Sequence, residues 1–363
     1  MQKNLSSDPS VRAIAFYLPQ FHPIPENDEW WGKGFTEWTN TAKAKTLFRD
    51  HYQPHVPADL GFYDLRLPES RIAQADMARE NGIEGFCYYH YWFAGKRLIE
   101  RPFNEVVESG EPNFPFCLCW ANQTWTGIWH GAPNRILIEQ TYPGRKDYEA
   151  HFNELIKAFS DPRYMTVDNK PIFIIYNPTD LPNSKEFVDI WQELAIKAGL
   201  PGLFLIGINH NDKWKPEEVG FDASILQKLP PKIKRVPLRY PSRKLDQHFK
   251  DYQLTIYDYE EVMHTFLRKE TTPHLEIPCV IPNWDNTPRS NLNGLVLHNS
   301  KPEFFRAVLK QAIDKVANLE VEKRIIVIKS WNEWAEGNYL EPDIKFGHAY
   351  LDVMKEELDK SKG

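Results

Sequence analysis

Glu333 and Glu336 are the residues of this chain whose type and spacing suggest chemistry. They stand in R-I-I-V-I-K-S-W-N-E-W-A-E-G-N-Y-L-E-P, from Arg324 to Pro342. Ile325, Ile326, Val327 and Ile328 form a short β-branched run suited to a strand buried on both faces of a parallel sheet. The run ends at Lys329-Ser330, and Trp331, Asn332, Glu333, Trp334 and Glu336 follow at once. Gly337 closes the segment and Pro342 rules out a long helix through it. Two carboxylates between tryptophans, at the carboxyl end of a buried strand, form a candidate acid/base pair. Paired carboxylates of this kind cleave glycosidic bonds, and indole faces stack on sugar rings.

Eight units are needed to place such a rim. Strands are expected at Ala13–Leu18, Glu84–Tyr91, Pro115–Trp120, Pro171–Tyr176, Leu203–Ile208, Phe221–Leu226, Ile277–Ile281 and Arg324–Ile328. Helices are expected at Glu69–Asn81, within Gly95–Ser109, and at Asp147–Phe159, Ser184–Ala198, Tyr259–Arg268, Glu303–Ala317 and His348–Lys360. Alternation of this kind predicts an α/β fold, a single-domain (β/α)8 TIM barrel with long loops over residues 1–363. A doubly wound sheet would want a glycine-rich turn after the first strand, and Leu18-Pro19-Gln20-Phe21-His22 offers none. Residues 19–40 read as a long aromatic and polar loop, and Pro230–Tyr252, rich in Lys, Arg and Pro, as an exposed excursion.

Active sites of this barrel lie at the carboxyl ends of the strands. The residues expected to bind substrate there, in one cleft with the two glutamates, are Tyr17, Gln20, His22, Trp38, Tyr89, His90, Tyr91, Trp120, Asn122, Tyr176, Asn209, Trp284, Asp285, Asn332 and Trp334. Amides and carboxylates hydrogen-bond hydroxyl groups, and aromatic faces stack on the C–H faces of sugars. An oligo- or polysaccharide is therefore the expected partner.

Composition narrows the alternatives. Of 363 residues, 42 % are hydrophobic and 26 % charged, an ordinary globular balance. A formal charge of −6 argues against nucleic acid as the main partner. The 12 Trp, 16 Tyr and 21 Phe often sit beside polar residues, as a carbohydrate cleft requires. Cys87, Cys117, Cys119 and Cys279 lie in apolar runs and read as buried free thiols. Cys117-x-Cys119 lacks a second ligand pair with zinc-like spacing, so neither a metal nor another cofactor is expected. There is no apolar run of membrane-spanning length, and residues 1–12 lack the apolar core of a signal peptide. A cytoplasmic location is the simple expectation, although a periplasmic chain trimmed of its leader would look the same.

The stretch Y-L-P-Q-F-H-P-I-P-E-N-D-E-W-W-G-K-G-F-T-E-W, Tyr17 to Trp38, resembles the signature of WbsX-like proteins. So do Tyr89–Trp92 with Arg101-Pro102, W-A-N-Q-T-W-T at Trp120–Thr126, P-N-W-D-N-T-P-R at Pro282–Arg289 and the motif at Trp331–Pro342. The resemblance covers essentially the whole chain. Bacterial polysaccharide clusters commonly encode such proteins, which have been labelled glycosyltransferases. The family is similar in turn to the glycoside hydrolase family 99 endo-α-mannosidases, which are (β/α)8 barrels. Asn332-Glu333-Trp334-Ala335-Glu336-Gly337 matches their N-E-W-x-E-G motif. The resemblance implies that Glu336 is general acid/base on the glycosidic oxygen. It implies that Glu333 deprotonates the sugar 2-hydroxyl, which attacks C1 to give a 1,2-anhydro sugar without any metal. That attack needs the 2-hydroxyl trans to the leaving group, as in α-D-mannosides and α-L-rhamnosides. The resulting expectation is a retaining glycoside hydrolase. A glycosyltransferase or transglycosylase of bacterial polysaccharide assembly is the alternative, and the absence of any Asp-x-Asp pair speaks against it. A non-catalytic glycan-binding protein is the third reading.

Overall fold

Short runs of β-branched and aromatic residues build the central layer. The computed structural model describes residues 11–127, 132–210, 214–232 and 254–361. Its barrel strands are β1 (Arg12–Tyr17), β2 (Gly85–Phe93), β3 (Phe116–Trp120) and β4 (Lys170–Ile175). They continue with β5 (Phe204–Asn209), β6 (Ala223–Leu226), β7 (Leu275–Val280) and β8 (Ile325–Ile328). Every neighbouring pair is parallel, and β1 pairs with both β8 and β2, which closes the barrel. Ala13 stands opposite Ile326, Ile14 opposite Gly85, and Cys87 opposite Cys117. All four residues of β8 are buried, and each apolar side chain so placed contributes roughly 1.5–3 kcal/mol.

Helices Pro68–Glu80, Arg101–Ser109, Arg145–Phe159, Ser184–Lys197, Pro302–Val316 and Ala349–Lys360 form the outer layer. The fold is a (β/α)8 barrel, as the alternation of strands and helices implies. Two segments differ from expectation. Residues 19–40 are more ordered than a loop: Pro25–Trp31 and Glu37–Lys43 are helical. Pro25 at the first turn, Gly32 at φ 105° and the Thr36/Thr39 capping box set their limits. The helix expected over Tyr259–Arg268 ends at Val262 and tightens into a 3-10 turn at Met263–Thr265. There the Thr265 hydroxyl donates to the Val262 carbonyl. Most of the expected Pro230–Tyr252 excursion, residues 233–252, lies outside the described residues. So does Asn211, just beyond the rim of β5.

The barrel wall has two faces with different tenants. Along β2, Tyr89 and Tyr91 face the barrel mouth. The alternate residues Tyr88, His90 and Trp92 pack on Phe103, His151 and Asp147 of the helices behind them. The period of two along a strand dictates this division.

Candidate active site

The segment after β8 is locked from several directions. Asn332 and Glu333 pair antiparallel with Tyr339 and Asn338, and Trp334–Glu336 forms one 3-10 turn between them. The Ser330 hydroxyl donates to the Asn338 carbonyl (2.9 Å) and accepts from the Glu333 amide (3.1 Å). Gly337 adopts φ 54°, where a side chain would also come within 2.9 Å of the Asp285 nitrogen. That nitrogen donates to the Glu336 carbonyl at 2.7 Å. Trp334, between the two glutamates, stacks on Tyr339 with ring centroids 3.9 Å apart, and its indole N–H donates to Glu341.

Two cations meet the two carboxylates. Lys329 Nζ lies 2.5 Å from Glu333 Oε2 and 3.8 Å from Glu336 Oε2. Arg289 Nη1 lies 2.5 Å from Glu336 Oε1, and its Nη2 lies 2.7 Å from Glu37 Oε1. Glu37 also accepts the Ala335 amide at 2.9 Å. Side-chain exposure is 19 % for Glu336 against 5 % for Glu333, so Glu336 is the more open to the cleft.

Glu333 and Glu336 also lie close enough for the charge of one to act on the other. Burial, helped by the neighbouring Glu336 charge and opposed by Lys329, pushes Glu333 up to about 8. Burial would raise Glu336 as well, but Arg289 and then Lys329 outweigh it and bring it down to about 2. Burial thus favours the neutral form of Glu333, and the two cations favour the charged form of Glu336. Burial raises Glu37 too, against the pull of Arg289.

A cleft of about 290 Å³ opens over this pair at the carboxyl ends of the strands. Gln20, Tyr89, Tyr91 and Tyr176 line it with Glu333 and Glu336. The amide nitrogen of Gln20 and the hydroxyl of Tyr89 are buried with no protein partner among the described residues, so a bound hydroxyl group could satisfy them.

The other expected residues do not line this cleft. Tyr17 points to the helix layer, where its hydroxyl donates to Gln74 at 2.7 Å. His90 meets His151 Nε2 to Nε2 at 2.8 Å, and Trp120 packs on Phe187. Asn209 ends β5 opposite Leu226, and Asn122 ties the loops after β3 and β4 by bonding both polar backbone atoms of Asn177. His22 is buried beside Asp64 and Arg66. The Trp38 indole donates to the Tyr63 carbonyl at 2.8 Å. Asn332 clamps both polar backbone atoms of Leu18, and Trp334 is buried against Tyr339. Asp285 accepts from His51, Gln53 and Thr287. Against burial, the His51 contact brings it down to about 2. Trp284 stands at the edge, its ring centroid 5.6 Å from Lys329 Nζ and its other neighbours in a second, smaller hollow. The physical reason is common to Tyr17, His90 and Trp120: each is one residue out of phase with the inward face of its strand.

Lys329, Arg289 and Glu37, with Trp31, Gln123, Thr124, Trp125 and Thr126, also line or support the cleft, beyond the residues expected there. Lys329 carried a signal, a lysine four residues before Glu333 where a buried strand ends. Among the described residues no group of three or more His, Cys, Asp or Glu side chains could hold a metal. No helix of those residues is long and apolar enough to cross a membrane.

A family model described as glycosyltransferase WbsX matches residues 13–354. The protein WxcX of Xanthomonas campestris pv. campestris is 36 % identical over 349 residues in strains B100 and ATCC 33913 alike. The match takes in 96 % of this chain and 50 % of WxcX, so the chain spans about half the length of the curated relatives it matches. Among solved structures, the GH99 endo-alpha-mannosidase of Bacteroides thetaiotaomicron has a TM-score of 0.58 at 14 % identity, covering 96 % of this chain and 97 % of that one. A glycoside hydrolase-like protein has a TM-score of 0.60 at 16 % identity, with 98 % and 95 % covered. At such identities the likeness is one of fold.

Proposed function

This chain belongs to the WbsX family, and from that premise we propose that it is a retaining glycoside hydrolase of α-manno- or α-rhamno-configured oligo- or polysaccharides. The observation that carries the reading is Glu333 and Glu336 side by side in one aromatic cleft at the barrel mouth. Glu333 takes the proton of the sugar 2-hydroxyl. The freed oxygen attacks C1 from the back, and the C1–O bond to the leaving group breaks. Glu336 gives its proton to the departing oxygen. In the second step Glu336 takes a proton from water, which attacks C1 and opens the 1,2-anhydro ring, and the 2-oxygen is reprotonated from Glu333. Two inversions leave the anomeric configuration unchanged. Gln20, Tyr89, Tyr91 and Tyr176 are the groups proposed to hold the sugar.

The family's description favours a second reading, transfer from an activated sugar in polysaccharide assembly. One experiment separates them. The protein is incubated with panels of α-mannosides, α-rhamnosides and sugar nucleotides, and products are followed by NMR. Free sugar released with retained configuration supports the hydrolase. Consumption of a sugar nucleotide only with an acceptor present replaces it with the transferase. Saturable glycan binding without turnover leaves a binding protein.

A further inference from the structure

Lys329 is the cleft residue to which the two-carboxylate scheme gives nothing to do. It is 2 % exposed at the end of β8. Its ammonium contacts Glu333, approaches Glu336 at 3.8 Å and lies 5.5 Å from the Tyr89 ring centroid. Together with Arg289 it faces three carboxylates, Glu37, Glu333 and Glu336. One proton makes this five-membered cluster neutral, and an uncompensated charge in so buried a place is costly. Arg289 does not give up a proton. Glu37 accepts from two donors on Oε1, while its Oε2 is buried with no partner among the described residues. The proton is therefore held among the three carboxylates.

We propose that Lys329 is a positioning residue whose ammonium holds Glu333 ready to ionise, so that Glu333 can take the proton of a sugar 2-hydroxyl while the cluster's single proton stays on the other carboxylates. In that step the sugar O–H bond breaks and an O–H bond on Glu333 forms. Until then the ammonium in contact with Glu333 offsets its negative charge. Among the described residues, the other titratable groups facing the pair are uncharged at neutral pH. Burial raises Tyr89, Tyr91, Tyr176 and Cys279, and lowers His210 at the rim of β5. The proposal rests on Glu333 and Glu336 being the reacting carboxylates.

The test compares Lys329→Met and Lys329→Arg with the wild type. On an activated glycoside, removing the positive charge should move the ascending limb of the pH–rate profile up by about one unit or more. It should also lower kcat by about tenfold or more with little change in KM. Lys329→Arg should bring the limb back toward wild type. In parallel, carbon-13 NMR of glutamate side-chain carboxyls, assigned with Glu333→Gln, follows the pair in the unliganded protein and needs no substrate. Its upper titration should rise in the Met variant and return in the Arg variant. A Met variant that keeps both the wild-type limb and the wild-type titration overturns the proposal, whatever its kcat. If no glycoside is ever cleaved yet the titration moves as expected, the hydrolase reading fails and the electrostatic role of Lys329 stands. If the Met variant does not fold, the Arg variant decides, since a wild-type titration there is required.

Discussion

The wall of β2 separates two buried pairs of titratable side chains. On the inside, Glu333 and Glu336 meet two cations and open to a cleft. On the outside, His90 and His151 share one hydrogen bond. There Trp92 stacks on His151 at 4.8 Å and 2°, and Trp120 and Trp191 stand edge-on to it at 4.8 and 5.0 Å. Burial, reinforced by Arg97, keeps both imidazoles well below their usual range and hence neutral. Both pairs are buried and strongly shifted, and only one has access and counter-ions. A perturbed pair marks a site only when something can reach it.

The largest expected effects fall on the inner pair. Glu333→Gln and Glu336→Gln should each lower turnover by about 10²–10⁴-fold at unchanged melting temperature, because each swap removes a titrating group and little volume. A substrate with a weakly basic leaving group should partly restore the first step of the Glu336 variant and leave the Glu333 variant inactive. Equal rescue of both would break the assignment of roles.

The outer pair should answer in stability. His151→Ala leaves His90 buried without its partner, an effect of about 1–3 kcal/mol before any cavity term. Denaturant unfolding should show that loss, while KM measured on the folded protein stays near wild type. The pair also has a pH signature. Its folded-state pKa values lie below the unfolded value, so the unfolded chain binds protons first. Its contribution should be intact above about pH 6.5 and decline as pH falls below that value. Melting curves from pH 7.5 to 5 check the slope, and His151→Ala should flatten it. The smallest effect is expected for Tyr17→Phe, which takes the Tyr17 hydroxyl from the buried Gln74 carbonyl oxygen but opens no cavity, about 1–3 kcal/mol, and should not change KM. A large rise in KM there would mean that Tyr17 serves the cleft after all.

That contrast also marks what the sequence could reveal. Eight short runs bounded by turn residues were legible as strands, and W-N-E-W-A-E-G was legible as a carboxylate pair on the rim because it follows a buried strand directly. The phase of each strand was not. G-F-C-Y-Y-H-Y-W-F is aromatic on both faces, so nothing in it tells Tyr89 from His90 until the helices are in place. Arg289 and Glu37 lie 252 residues apart, and no local pattern announces their contact. Lys329 reads in the sequence as the polar end of a strand, although a charge inside a barrel needs a partner.

Rates on a matched pair of activated α-mannosides or α-rhamnosides, one with a free and one with a methylated 2-hydroxyl, probe the chemistry at the inner pair without altering the protein. With the free hydroxyl, cleavage with retained configuration is expected. With the methyl ether, turnover should vanish while the compound still competes for the cleft. Comparable cleavage of both, or a covalent sugar adduct on either glutamate, would contradict the anhydro-sugar route and require a carboxylate nucleophile instead.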